Sequence, residues 1–532
     1  MQNIALIINT LQGGGAERCA ADLSQIFTER GYNVYIFTDL SVNIGYEYKG
    51  TLVSFKVSIS DGEEWGNPIR YKVNELSRLK ESNHIDIAIS FMQLANYLNI
   101  LSKKQEKVIL TIHGMTSVYA KEEKSVIWAE ETFRDLYQYA DVITFPSGFC
   151  RRDWLEHYGD KNNITTTIYN PVHRMKVEEN RNKENIVITV GRMHSDKRQW
   201  HLIKAFSLVK KICLDSKLII LGDGELRPKL EKMVMRLGLE KDVEMPGNVK
   251  NVQDYLAKAK VFAMTSRCEA MPCSVLEALS AGVPVVACDC PGGIREELGI
   301  SDELKSSSYL LEGKCGIITP YIEENGTDKL SQEEEVFAKE IVRLLMDDDL
   351  RTRMATEAGT MLQKFLPDAI GTAWIEYIFV NNLKREIDRE AFEDVRDKSI
   401  GGYEKMYVSY YRLLEKWMML HERGGSIKQY FISRHIKNVI LYGLGKMANH
   451  FMEDIKGSDI NILCGIDKTN IGKQRNFPVI MLNEVIPDAD CIIITPVHEA
   501  ENIKQKLRAR TQVPIISLVD VLDSSMQEHG NV

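Results

Sequence analysis

The feature that most constrains this chain is a repeated alternation of short apolar runs with longer amphipathic stretches. IALIIN, NVYIFT, IDIAIS, KVILTI and DVITF fall in the first 145 residues, and NIVITVG, KLIILG, KVFAMT and VPVVAC follow. Apolar, β-branched runs of this kind suit strands buried on both faces, and the helical-period segments between them suit crossover helices that cover a parallel sheet. Two such sets predict two doubly wound α/β domains. A shorter third set, VILYG, NILCGID, DCIIITP and VPIISLV, predicts a small one at the carboxy terminus. At 532 residues the chain is long enough for each to bury its own core.

The polar segment Asn170 to Asn185 carries one proline, many charges and no sustained period, so it marks a boundary between domains spanning 1–175 and 176–362. FLPDAIGTAWIEYIFV predicts a helix with Trp374 and Tyr377 on its apolar face, in a segment 363–380. Residues 381–434 read as a helical linker and 435–532 as the third domain. In the linker Tyr403, Tyr407, Tyr410, Leu414 and Trp417 keep to one helical face, which Gly424 and Gly425 end. That face either packs on a neighbouring domain or touches a membrane, since residues 401–450 hold eight Lys and Arg against three acids.

Composition excludes some classes. A formal net charge of −8 argues against nucleic acid as a partner. The ten cysteines form no CxxC pair, and the CxC of Cys288 and Cys290 fits no common zinc spacing, so no metal site and free thiols in a cytoplasmic protein are expected. The start MQNIALIINTLQGGG lacks the pattern of a signal peptide, and no apolar run approaches the ~20 residues of a membrane helix, so membrane contact would be peripheral.

Four βα turns carry candidate chemistry. In LQGGGAER, Gly14 and Gly15 let backbone approach a phosphate or sugar at a helix amino terminus. In VGRMHSDKRQW, Arg192 and Lys197 sit past a strand's carboxyl end, where a guanidinium fork and a point charge can clamp a diphosphate. LGDGELRPKLE adds the turn Gly222, Asp223, Gly224 at another strand end. In SRCEAMPCSVLEALSAG, Glu269 precedes a helix, Pro272 suits its first turn, Glu277 lies inside it and Gly282 ends it. Two acids so spaced can bond the hydroxyls of two groups, with the amides from Ala270 and Met271 to Cys273 free for phosphate between them. A sugar, a diphosphate and a ribose suit those places.

The E-x7-E of Glu269 and Glu277, with GGGAER, TIHG, VGRMHSDK and GDGELRPKLE in this order, resembles the retaining GT-B glycosyltransferases of family four over residues 1–380. The resemblance implies two Rossmann-like domains facing each other, the second binding a nucleotide sugar and the first most of the acceptor. It implies Gly14 and Gly15 near the donor diphosphate and sugar, and Arg192 and Lys197 on the diphosphate. Glu269, with the amides of Ala270 and Met271, would meet the transferred sugar, Glu277 the ribose, and His113 of TIHG the reacting carbon. No metal is required, because fixed cations and helix-end amides stabilise the departing diphosphate. EAMP departs from the glycine and aromatic of many relatives and alters the grip on the sugar. CDCPGGIREEL is similar to versions in bacterial polysaccharide and glycolipid enzymes using UDP-sugars. The expectation is transfer of a hexose or N-acetylhexosamine to a glycan or lipid-linked glycan, on the inner face of the plasma membrane or in the cytoplasm.

Two rivals stand beside this. A carboxylate-pair glycoside hydrolase needs two acids flanking one bond, which leaves the phosphate-binding loops without purpose. A noncatalytic sugar-nucleotide sensor or scaffold is suggested by the extra domain. There, YGLGKMANHF gives GxGxxA at Gly443, Gly445 and Ala448, with Asp467 24 residues past the first glycine, a spacing that admits NAD as well as a structural or interaction role.

Overall fold

The computed structural model describes residues 2–38, 44–55, 68–122, 127, 129–175, 183–301, 310–323, 329–380, 386–467 and 476–530. Residues 176–182 of the expected domain boundary and 381–385 of the expected linker lie outside them, as does the side chain of Tyr407.

The chain forms two compact units, and the larger, ending at Phe392, carries two sheets. In the first, β1 (Asn3–Ile8), β2 (Asn33–Thr38), β3 (Thr51–Ser54), β4 (Ile87–Phe91), β5 (Lys107–Thr111), β6 (Val142–Phe145) and β7 (Thr165–Thr167) lie in the order β3-β2-β1-β4-β5-β6-β7, all parallel. The second holds β8 (Glu184–Val190), β9 (Lys217–Leu221), β10 (Val243–Gly247), β11 (Ala259–Met264), β12 (Val285–Cys288), β13 (Leu311–Glu312) and β14 (Gly316–Thr319). Its order is β10-β9-β8-β11-β12-β14-β13, parallel except for the β13–β14 pair. These two lobes are doubly wound, as the alternation of runs predicts.

Every residue of β4 and β5 is buried, which is why these strands read as unbroken apolar runs rather than alternating ones. The helix Pro367–Trp374 returns to the first lobe. Its Trp374 stacks edge-on against Phe27 with ring centroids 5.9 Å apart, inside a core that includes Ile4, Leu6 and Leu23. Burying an aromatic side chain of this size contributes about 2–3 kcal/mol, enough to tie the end of the second lobe's chain to the first lobe.

The smaller unit, which includes Glu393–Val532, contains β15 (Asn438–Tyr442), β16 (Asn461–Ile466), β17 (Val479–Ile480), β18 (Cys491–Ile494) and β19 (Ile515–Ser517), parallel in the order β17-β16-β15-β18-β19. The helix Arg389–Glu422 leads into it. Leu413, Trp417 and Leu420 are buried with Val439, Leu441 and Phe451, and the Trp417 indole donates to Asp454 at 2.7 Å. Tyr410, Leu414 and Trp417 of that face therefore pack on this unit's own core.

Strand order reverses beside β1 and beside β8. In open α/β sheets ligands bind beyond the strand carboxyl ends at such reversals. The chain leaves β1 into the glycine turn and β8 into the Arg192 loop.

Candidate active site

The glycine turn closes onto the helix Gly15–Glu29. Gly13 holds a left-handed φ of 63°, and Gly14 is the extended residue before the helix. The Glu17 carboxylate folds back over Gly14, where any Cβ would collide with it. Burial raises the Glu17 pKa, with Arg192 of the second lobe among the charges that oppose the shift. A Cβ on Gly15 would lie 3.3 Å from Cys273 Sγ, so the turn abuts the helix Cys273–Ser280 of the second lobe.

On that lobe Arg192 is exposed and its loop is held from below by the turn 222–224. Met193 N–H donates to the Asp223 carbonyl at 2.9 Å. A Cβ on Gly222 would collide with Gly191 O, and one on Gly224 would come within 2.5 Å of Met193 O. The Asp223 carboxylate accepts from Gly224 N–H at 2.8 Å and pairs with Arg227 at 3.3 Å. Gly222 and Gly224 are thus glycine because two backbones touch there, and the three residues shape the Arg192 loop from beneath.

Lys197, at the end of the same loop, pairs with Glu269 at 2.5 Å, and Glu269 also accepts from Ser266 Oγ at 2.7 Å. Burial works against the Lys197 charge, yet the adjacent Glu269 carries its pKa above the usual lysine range. Glu269 is fixed by its own backbone. Its N–H donates to Pro291 O at 3.0 Å, and Gly292, at φ 138°, touches its carbonyl so closely that no Cβ could fit. The PGG of the following turn thereby clamps the loop that carries the acid.

Pro272 is the capping residue before the helix Cys273–Ser280 rather than a member of its first turn, and Gly282 follows the helix end at φ 65°. Met271 is buried and Ala270 half-buried. The Ala270 carbonyl accepts from Ser147 Oγ of the first lobe at 2.8 Å. Glu277 is buried and pairs with Arg18 of the glycine-turn helix. Burial raises its pKa, and Arg18 opposes the shift.

Two further contacts join the lobes. The Glu296 carboxylate accepts from Gly148 N–H at 3.0 Å and Phe149 N–H at 2.7 Å, at the amino terminus of the helix Gly148–Tyr158. Such an end offers unpaired amides and partial positive charge. Tyr119, on the helix Thr116–Glu122, lies 3.3 Å from a Cβ position on Gly114, and its hydroxyl is 3.9 Å from Cys268 Sγ. It spans the loop of His113 and the loop of Glu269.

His113 follows β5 with its ring 5.7 Å from that of Phe91. Burial lowers its pKa to about 4, so the imidazole is neutral at neutral pH. With Cys19, Thr111, Thr144, Tyr169 and Asn170 it lines a cavity of about 10 Å³, the room of one water.

Within the larger unit, then, the glycine turn meets the helix of Glu277, and Lys197 meets Glu269. Residue-by-residue reading did not assign roles to Arg18, Tyr119, Ser147 or Glu296. Arg18 stood inside GGGAER, one turn before Asp22, and that spacing is a local signal; the other three act across more than a hundred residues and leave none.

In the smaller unit, Asp467 accepts from Leu444 N–H at 2.8 Å, and a Cβ on Gly443 would come within 2.5 Å of Pro496. Packing against Pro496 thus accounts for Gly443, whereas a Cβ on Gly445 would meet nothing within 4 Å. Among the described residues no group of His, Cys, Asp and Glu is arranged to hold a metal ion, and no helix is long and apolar enough to cross a membrane.

Residues 13–174 match the family model described as Glycosyltransferase Family 4, and residues 173–301 that of Glycosyl transferases group 1. An uncharacterized glycosyltransferase of Methanocaldococcus jannaschii is 31% identical over 53% of this chain and 76% of its own length. The chain belongs to this glycosyltransferase family and is a transferase enzyme. It is also similar to the N-acetylgalactosamine-N,N'-diacetylbacillosaminyl-diphospho-undecaprenol 4-alpha-N-acetylgalactosaminyltransferase of Campylobacter jejuni, 26% identical over 59% of this chain and 89% of that one. Anabaena Alr3699/HepE, solved in complex with UDP and glucose, superposes with a TM-score of 0.57 at 18% identity, covering 71% of this chain and all of that one, a likeness of GT-B fold.

Proposed function

We propose that the enzyme moves a hexose or N-acetylhexosamine from a UDP-sugar to a glycan or lipid-linked glycan in polysaccharide biosynthesis, with retention at the anomeric carbon. The observation that carries this reading is the Lys197–Glu269 pair, held at a strand-order reversal beside the glycine turn and the Glu277 helix. The Campylobacter relative, whose name specifies a diphospho-undecaprenol acceptor, supports the acceptor class, and the UDP in the Anabaena neighbour supports the donor.

In this reading Arg192 and Lys197 hold the diphosphate, which the amides near Gly14 and Gly15 and those of Ala270 and Met271 approach. Lys197 exchanges part of its bond to Glu269 for phosphate as negative charge grows on the leaving group, and a preorganised cation there contributes most in the transition state. Glu269 bonds hydroxyls of the transferred sugar, and Glu277 those of the ribose. Neutral His113 can donate from one ring nitrogen and accept at the other beside the reacting carbon. The turn 222–224 and Pro272 set the loops. Lobe approach, held by Ser147 and Glu296, excludes water and favours transfer over hydrolysis.

The test is incubation of the full chain with UDP-, GDP- and ADP-sugars and lipid-linked or glycan acceptors, reading product mass and anomeric configuration. A product of retained configuration from a UDP-sugar is expected. Sustained donor hydrolysis without transfer, an inverted product, or activity lost to EDTA and restored by a divalent ion would overturn the corresponding part.

A further inference from the structure

Arg18 and Glu277 belong to different lobes, 259 positions apart, and their side chains pair directly. The contact is sheltered, with the Glu277 side chain 11% exposed and that of Arg18 32% exposed. Behind Arg18 a second acid follows one helical turn on, with Arg18 Nε 3.8 Å from Asp22 Oδ2. Asp22 Oδ1 lies in turn 3.1 Å from His173 Nε2, just past the last strand of the first sheet. The four side chains form a line from that segment to the acid on the helix Cys273–Ser280. A buried carboxylate without a cation beside it gives up its charge rather than bear the desolvation cost. A guanidinium is the residue type suited to hold it, because it is always charged and planar.

We propose that Arg18 is a positioning residue for nucleoside diphosphate binding. It keeps Glu277 ionised, fixes one of its oxygens and leaves the other to accept hydroxyls of the ribose. Asp22 and His173 aim the guanidinium. Because Arg18 stands on the first lobe and Glu277 on the second, capture of the nucleotide is coupled to lobe approach. The inference rests on the ribose role proposed above for Glu277.

The experiment is calorimetric titration of UDP into the full chain as wild type, Arg18→Ala, Arg18→Lys, Glu277→Gln and the Arg18→Ala/Glu277→Gln double variant, with melting curves and steady-state kinetics alongside. Arg18→Ala is expected to weaken UDP by about tenfold or more and to raise donor KM in step, while kcat changes by less than about threefold. Arg18→Lys recovers part of the loss. The double variant binds no worse than Glu277→Gln, because Arg18 acts through that acid. Should Arg18→Ala fail to fold, Asp22→Asn, which removes only the aiming charge, is expected to weaken UDP by about two- to fivefold. Unchanged UDP affinity in the folded variants, or losses that multiply in the double variant, would overturn the inference while leaving the donor reading intact. If wild type binds none of UDP, GDP and ADP, the donor reading itself fails and takes this one with it.

Discussion

Lys197 and Glu269 stand 2.5 Å apart, Nζ to Oε1, on loops that leave the neighbouring strands β8 and β11. The pair shares a mostly sheltered site in which the lysine is the more exposed partner, at 31% against 12%. On the function proposed above, Lys197→Met removes the cation from beside the leaving diphosphate and leaves the acid alone. We expect kcat to fall by about 100-fold or more, with donor KM raised. Melting should show a smaller cost, about 1–3 kcal/mol, for the unpaired carboxylate. Wild-type kcat in a folded Lys197→Met variant would remove this pair from the chemistry.

The glycines of the site separate into two kinds, and alanine tells them apart. At Gly222 and Gly224 a Cβ meets backbone carbonyls that have nowhere to go, so each substitution should cost more than about 2 kcal/mol and displace the Arg192 loop. Gly13 has open space around its Cβ position and only a left-handed φ to satisfy, so Gly13→Ala should cost about 1 kcal/mol. Denaturant melts of the three variants check the ranking; equal losses would contradict it.

His113 has a folded pKa near 4 against an ordinary value of 6.5. Between these values the unfolded chain binds the proton and the folded one does not. Its contribution to stability is therefore complete above 6.5 and is lost as pH falls towards 4, by about 2 kcal/mol in all once the partial exposure of the residue is allowed for. Melts across that window should slope for wild type and less for His113→Gln. The rate profile from neutrality to pH 5 should carry no limb that His113→Gln abolishes.

Tyr119→Phe keeps the ring over Gly114 and removes the hydroxyl beside Cys268. Stability should stay within about 1 kcal/mol, while kcat/KM drops about tenfold if the hydroxyl orders the loop of Glu269. Parallel kinetics and melts decide it, an unaltered kcat/KM counting against any part for this tyrosine in the site.

The doubly wound sheets were legible because their central strands are short apolar runs with helical segments between them, as in IAISF and KVILT. Edge strands were not. TTT at 165–167 and VEMPG at 243–247 carry polar residues or proline, which a strand paired on one side tolerates and a propensity reading passes over. Glu269, Glu277, Arg192 and Lys197 could be picked out since each sits at a fixed offset from a strand end. Why Gly222 and Gly224 are glycine could not be read in the same way, since the backbone of Gly191 and Met193 that a Cβ there would strike is adjacent only after folding. Tyr119 and Glu296 could not be found at all; their partners, Cys268 and the amides of 148–149, are neighbours only after folding.

The seating of Glu296 on the amides of Gly148 and Phe149 bears on how such enzymes can be recombined. A hybrid spliced near Asn170, taking its front half from one relative and its back half from another, keeps this contact only when an acid at position 296 meets a turn that presents those two amides. Exchange of whole halves therefore favours parents that share this junction.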